Sequence, residues 1–166
     1  MTDAKSHLKL LNPWHLFATG LGSGLSPVIP GTIGSMVTIV FWLLMYYFLP
    51  VWFCWLIILF GFLFGIVICQ RTSCDMQSHD HVSIVWDEFI GMWITLMVVP
   101  VVHWQWILIA FMLFRFFDIL KPWPIGWLNQ KVGGGFGIML DDVIAAIFAI
   151  VSMNVIFHFF PAFSYQ

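Results

Sequence analysis

Two pairs of adjacent acids, Asp87-Glu88 and Asp141-Asp142, a further acid, Asp118, and two cations, Arg115 and Lys121, stand out from long stretches with no charge at all. Each carboxylate offers the hard oxygen ligands that suit Mg²⁺, an ion that typically takes one or two carboxylates and keeps several waters. Carboxylates gathered at one place repel one another unless cations lie among them. Arginine grips phosphate oxygens through two parallel N–H donors, and lysine presents a point charge to the same oxygens. Arg115 and Lys121 lie three residues before and after Asp118, so on a helix all three can face one point. The set suits metal-assisted chemistry on a phosphate.

Each of these residues also has a structural reading. Acids at a helix start are stabilised by the dipole by ~0.3–1 kcal/mol, and both acid pairs stand at the start of an apolar run. Arg115 could simply pair with Asp118, and Lys121 could be a topology charge whose stem lies along the membrane interface. Gly133-Gly134-Gly135-Phe136-Gly137 could be a plain linker, or could let backbone N–H groups approach an anion. His79-Asp80-His81 could ligate a metal or lie in a surface loop, with Asp80 the better candidate of the three. Capping does not need two acid pairs at two boundaries. Asp118 lies near the C-terminal end of its apolar run, where the dipole disfavours an anion.

These residues must be positioned by membrane helices. Of 166 residues, 8% are charged and 61% hydrophobic, whereas a soluble domain carries roughly a quarter charged residues. So few polar groups could not cover a water-soluble fold, and the chain is an integral membrane protein whose partner is the lipid bilayer. The net charge of -2 argues for no nucleic-acid partner. Three cysteines without zinc-site spacing imply no disulfide framework. The first residues lack an apolar stretch followed by a small-residue cleavage site, so no cleaved signal peptide is expected.

Apolar segments run over Gly34–Leu49, Val51–Cys69, Phe89–Val102, Trp104–Leu120 and Val143–Phe160. Each approaches the ~20 residues of a membrane-crossing helix, and lipid tolerates no unsatisfied backbone, which excludes isolated strands. The expected fold is all-α: one domain over residues 1–166, a polytopic bundle of about five spans. Leu8–Thr19, with Trp14 and Phe17, reads as a short interfacial helix. Gly20–Ser35, dense in Gly, Ser and Pro, reads as a re-entrant or surface loop. Leu49-Pro50 and Val102-His103 mark turns of two hairpins. Phe89–Val102 is short and contains Pro100, so Phe89–Leu120 could instead be one broken span. A hairpin puts all six Lys and Arg at one end of the bundle, which the positive-inside rule assigns to the cytoplasm.

Familiar phosphatase devices are absent: no Cys is followed by five residues and an Arg, and no Asp-x-Asp-x-Thr occurs. Four other blocks stand in order: Gly22–Ser35 (GSGLSPVIPGTIGS), Ile84–Trp93 (IVWDEFIGMW), Phe114–Ile125 (FRFFDILKPWPI) and Gly134–Asp142 (GGFGIMLDD). In these the chain resembles the phosphatidylglycerophosphatase A family over nearly its whole length. The resemblance implies Mg²⁺-dependent removal of the terminal phosphate of phosphatidylglycerophosphate at the bacterial inner membrane, on its cytoplasmic side. It also implies roles for Asp80, Asp87, Glu88, Arg115, Asp118, Lys121, Asp141 and Asp142. Thr32 and Ser35 of the first block are secondary candidates. Ala145-Ala146 replaces the Ala-Gly of many relatives, a difference that bears on helix packing. The rival reading is a small ion-coupled transporter using the acids as an ion pathway, which would place them near mid-membrane.

Overall fold

The computed structural model describes residues 8, 9, 11–78 and 81–159, and these contain helices and no strand. A short helix, α1 (Pro13–Ala18), opens on Pro13, with the Asn12 side chain accepting from the Trp14 N–H at 3.1 Å. It lies on α3 (Val51–Asp75), where the Arg71 guanidinium stands 4.2 Å from the Trp14 ring. His15 Nε2 meets Asp75 Oδ2 at 2.9 Å. After a 3-10 turn at Ser23–Leu25 comes α2 (Pro30–Phe48). Leu49 and Pro50 are extended and turn the chain into α3. The remaining elements are α4 (Trp86–Met97), α5 (Trp104–Leu120), α6 (Ile125–Lys131) and α7 (Gly134–Phe159).

Among the described residues α2, α3 and α7 are long and apolar enough to cross a membrane. Half of the apolar stretch of α7 is buried inside the protein, against 28% for α2 and 22% for α3. That makes α7 the centre of the bundle. Its inner face presents Ile138, Met139, Ala145, Ala146, Ala149 and Met153, all fully enclosed. Lipid tails are as apolar as the side chains, so helices in a bilayer associate through close packing of small residues. The same device recurs at Gly91 of α4. A Cβ there would stand 2.7 Å from the Phe114 ring of α5 and 2.9 Å from the Asp142 carbonyl of α7. The outward faces of α2 and α3 carry exposed Val40, Leu44, Leu59, Phe60 and Leu63.

The α4–α5 segment is a hairpin rather than one broken helix. Glu88, near the start of α4, pairs with Arg115, near the end of α5, at 2.8 Å. Gly91 likewise lies against Phe114. The chain reverses between Val98 and His103, before and after Pro100.

Several helix starts differ from the expectation: α1 begins at Pro13 rather than Leu8 and α4 at Trp86 rather than Phe89, while α2 and α7 gain whole turns that shape the charged end. Gly31–Ser35 belong to α2, whose first helical residue is Pro30, where a missing N–H does no harm. Only the first part of the Gly20–Ser35 stretch is therefore loop. Most of the glycine run is helix rather than linker: α7 starts at Gly134, one residue into the run, and not at Val143. A Cβ on Gly135 would collide with the Ile66 carbonyl of α3, so glycine there lets the two helices touch. Asp141 and Asp142 consequently lie in the third turn of α7, beyond the reach of N-terminal capping.

Candidate active site

The starts of α2 and α4, the end of α5 and the third turn of α7 meet at one end of the bundle. Between them lies a cavity of about 320 Å³. Its wall includes Thr32, Asp87, Glu88, Arg115, Asp118, Lys121 and Asp142. The sequence thus brings six of its seven primary candidates to one opening. The seventh, Asp141, sits directly behind, reached through Lys121.

Within this end the acids divide into two groups. Asp87, Asp141 and Asp142 form the first, 7%, 2% and 2% exposed. Each offers a carboxylate oxygen within 4.8 Å of the others. Asn129 of α6 donates to Asp141 Oδ2 at 2.5 Å, and the Lys121 ammonium pairs with the same oxygen. Asp142 Oδ2 is buried with no hydrogen-bond partner among the described residues. Two unit charges at such a separation repel by roughly 3–4 kcal/mol at an effective dielectric of about 20. Three buried hard oxygens, one of them with an unused lone pair, fit a divalent cation of the Mg²⁺ type.

The second group is Glu88, Arg115 and Asp118. Arg115 Nη1 lies 2.8 Å from Glu88 Oε2 and 2.6 Å from Asp118 Oδ2, so one guanidinium holds acids from two helices. The structural pairing of Arg115 with Asp118 is therefore present, and it occurs inside the cavity. Ser35 Oγ stands 2.8 Å from Glu88 Oε2 and 3.0 Å from the Gly31 carbonyl, placing it behind Glu88. Gly31 has to be small: a Cβ would run into the Glu88 carboxylate and come within 3.0 Å of Arg115.

Lys121 ends α5 with a left-handed backbone, φ 41°. That turn directs the chain into Pro122 and α6, and its side chain reaches back to Asp141. Asp80 and His79 lie outside the described residues. Asn129 is the member that the sequence did not announce. It sits on a seven-residue helix beside Gln130 and Lys131, where an amide looks like ordinary surface.

The family model described as Phosphatidylglycerophosphatase A matches residues 16–157. The chain is 52% identical to Phosphatidylglycerophosphatase A of Escherichia coli (strain K12), over 95% of this chain and 91% of that one. It is 51% identical to Phosphatidylglycerophosphatase A of Haemophilus influenzae, over 87% and 88%. A Bacteroides thetaiotaomicron protein provisionally named phosphatidylinositol-3-phosphatase is 38% identical, over 84% and 91%. No solved structure matches. With the match spanning the cavity and every helix around it, the chain belongs to the phosphatidylglycerophosphatase A family of phosphatases.

Proposed function

We propose that the protein removes the terminal phosphate of phosphatidylglycerophosphate, releasing phosphatidylglycerol, with Mg²⁺ held by Asp87, Asp141 and Asp142. The observation that carries this reading is the cavity itself: buried carboxylates face Arg115 and Lys121 at the one charged end of an apolar bundle. When bound, a divalent cation neutralises phosphoryl oxygens and lowers the pKa of a bound water.

The chain's own residues divide the remaining work. Arg115 and Lys121 place positive charge on the cavity wall and orient the phosphate. Glu88 and Asp118, held by Arg115, are the carboxylates positioned to take the proton of the attacking water. Water adds to phosphorus as the bond to the glycerol oxygen breaks, the glycerol oxygen takes a proton, and inorganic phosphate leaves. No covalent intermediate is required.

Five spans follow if the α4–α5 hairpin crosses together with α2, α3 and α7. At ~1.5 Å per residue α4 is about 18 Å long, short of the ~30 Å hydrocarbon core. The partly buried segment after it, 98–103, would complete the crossing against its neighbours. Arg71, Arg115, Lys121 and Lys131 gather at the cavity end, which faces the cytoplasm of a bacterial inner membrane on the positive-inside rule. Trp14 and Phe17 on α1 suit that interface. A transport pathway would need acids along the bundle, and the described acids stand at one end.

The test compares phosphate release by purified protein from phosphatidylglycerophosphate and from phosphatidylinositol 3-phosphate in the same micelles. Release from the first, with phosphatidylglycerol recovered by mass spectrometry, is expected. Faster release from the inositol lipid would overturn the substrate assignment.

A further inference from the structure

One helical turn from the polar cavity, along the same two helices, lies an apolar groove. On α2, Thr32 lines the cavity and Met36, Ile39 and Leu43 line a second hollow of about 400 Å³. On α5, Arg115 and Ile119 line the cavity, and Phe111, Leu108, Ile107 and Trp104 line the same hollow. Thr32 to Met36 and Arg115 to Phe111 are each one helical turn, so the two hollows share one face of each helix. No charged or hydrogen-bonding side chain except the Trp104 indole lines the lower one. Its rim is open, with Met36 53%, Trp104 65% and Leu108 50% exposed on the lipid-facing side. The floor is closed by Phe111, which is 7% exposed.

We infer that the seam between α2 and α5 seats an acyl chain of the substrate and is the route by which a lipid phosphate enters sideways from the bilayer. This rests on the phosphatase reading above and adds where the rest of the lipid lies. A headgroup in the cavity leaves its glycerol at the level of Thr32 and Ile119, directly above the groove. From Thr32 to Leu43 the seam is about 16 Å long at ~1.5 Å per residue, room for most of a fatty chain. The alternative groove, between α3 and α4, is lined by Phe53, Leu56, Phe60, Phe64, Trp86 and Trp93. Trp86 and Trp93 are seven residues apart on one face of α4, while Asp87 and Glu88 line the cavity from another. That groove does not continue the active site.

The experiment compares kcat/KM for long-chain phosphatidylglycerophosphate with that for its water-soluble short-chain form. It uses full-length protein, Leu43→Trp and Ile107→Trp in the seam, and Leu56→Trp in the other groove as a control. Both seam variants should lose at least about tenfold on the long-chain substrate relative to the short-chain one, roughly the worth of two buried methylenes. Leu56→Trp should keep the wild-type ratio. Activity on the short-chain substrate reports that each variant is folded, and Leu43→Ala and Ile107→Ala serve where tryptophan is not tolerated, with a smaller shift in the same direction. An unchanged ratio in both seam positions, or an equal shift in the control, overturns the seam while leaving the phosphatase reading intact. No phosphate release by wild type from either substrate overturns both.

Discussion

Replacing Arg115 by Met should destabilise the protein strongly, because it strands two acids at once. In the folded state Nη1 of this guanidinium is 2.8 Å from Glu88 and 2.6 Å from Asp118, and the three side chains are only 12–13% exposed. Breaking a buried pair by removing one partner costs about 3–5 kcal/mol. Slight solvent access favours the lower end, about 3 kcal/mol. In a chain of this size that corresponds to a fall in Tm of roughly 6–12 °C. The loss should be partly reversible from the other side. Glu88→Gln in the Arg115→Met background removes one stranded charge and should recover part of the lost Tm, whereas Glu88→Gln alone should be destabilising. Thermal unfolding in detergent, followed by tryptophan fluorescence, measures all four proteins of the cycle. Arg115→Met with an unchanged Tm, or additive effects in the double variant, would refute the argument that this cation holds the two helices.

Asp87→Asn, Asp141→Asn and Asp142→Asn should each reduce phosphate release by at least a hundredfold. Asp142→Asn should also raise Tm in the presence of chelator, since it relieves repulsion among three close acids; a lowered Tm would argue against that repulsion. Gly91→Ala should destabilise by ~1–3 kcal/mol through overpacking against Phe114 and the Asp142 carbonyl, and denaturant unfolding in detergent checks it. In a protein lacking its native cysteines, Ser78→Cys should be labelled only from the cytoplasmic side and Val101→Cys only from outside, because they stand at opposite ends of the bundle; the reverse pattern would invert the topology.

Much of this architecture is legible in the residues, for reasons that can be named. Leu49-Pro50 and Val102-His103 read as turns between apolar runs, and the absence of charge around them places both at the uncharged end, although α4 stops earlier, at Met97, with Pro100 in the connection. The starts of α2 and α7 were less legible because glycine is a poor helix former in isolation. Tertiary contact overrides that weakness: Gly31 lies against Glu88, and Gly135 against the Ile66 carbonyl. The acids and cations of the cavity are recognisable by type, since charge this close to lipid is rare. Their division into Asp87-Asp141-Asp142 and Glu88-Arg115-Asp118 is not, because it depends on the register between α4, α5 and α7 set by contacts such as Gly91 on Phe114. Asn129 carries no signal of its own until α6 folds it over Asp141.

Metal-stripped protein decides whether the buried aspartates serve a Mg²⁺-dependent phosphatase site. Purified enzyme is treated exhaustively with chelator, dialysed into metal-free buffer and assayed for phosphate release from phosphatidylglycerophosphate as Mg²⁺ is added back. Negligible release without metal, saturable recovery with Mg²⁺, and no recovery in Asp142→Asn are expected. Full activity in the stripped wild-type protein would contradict that dependence.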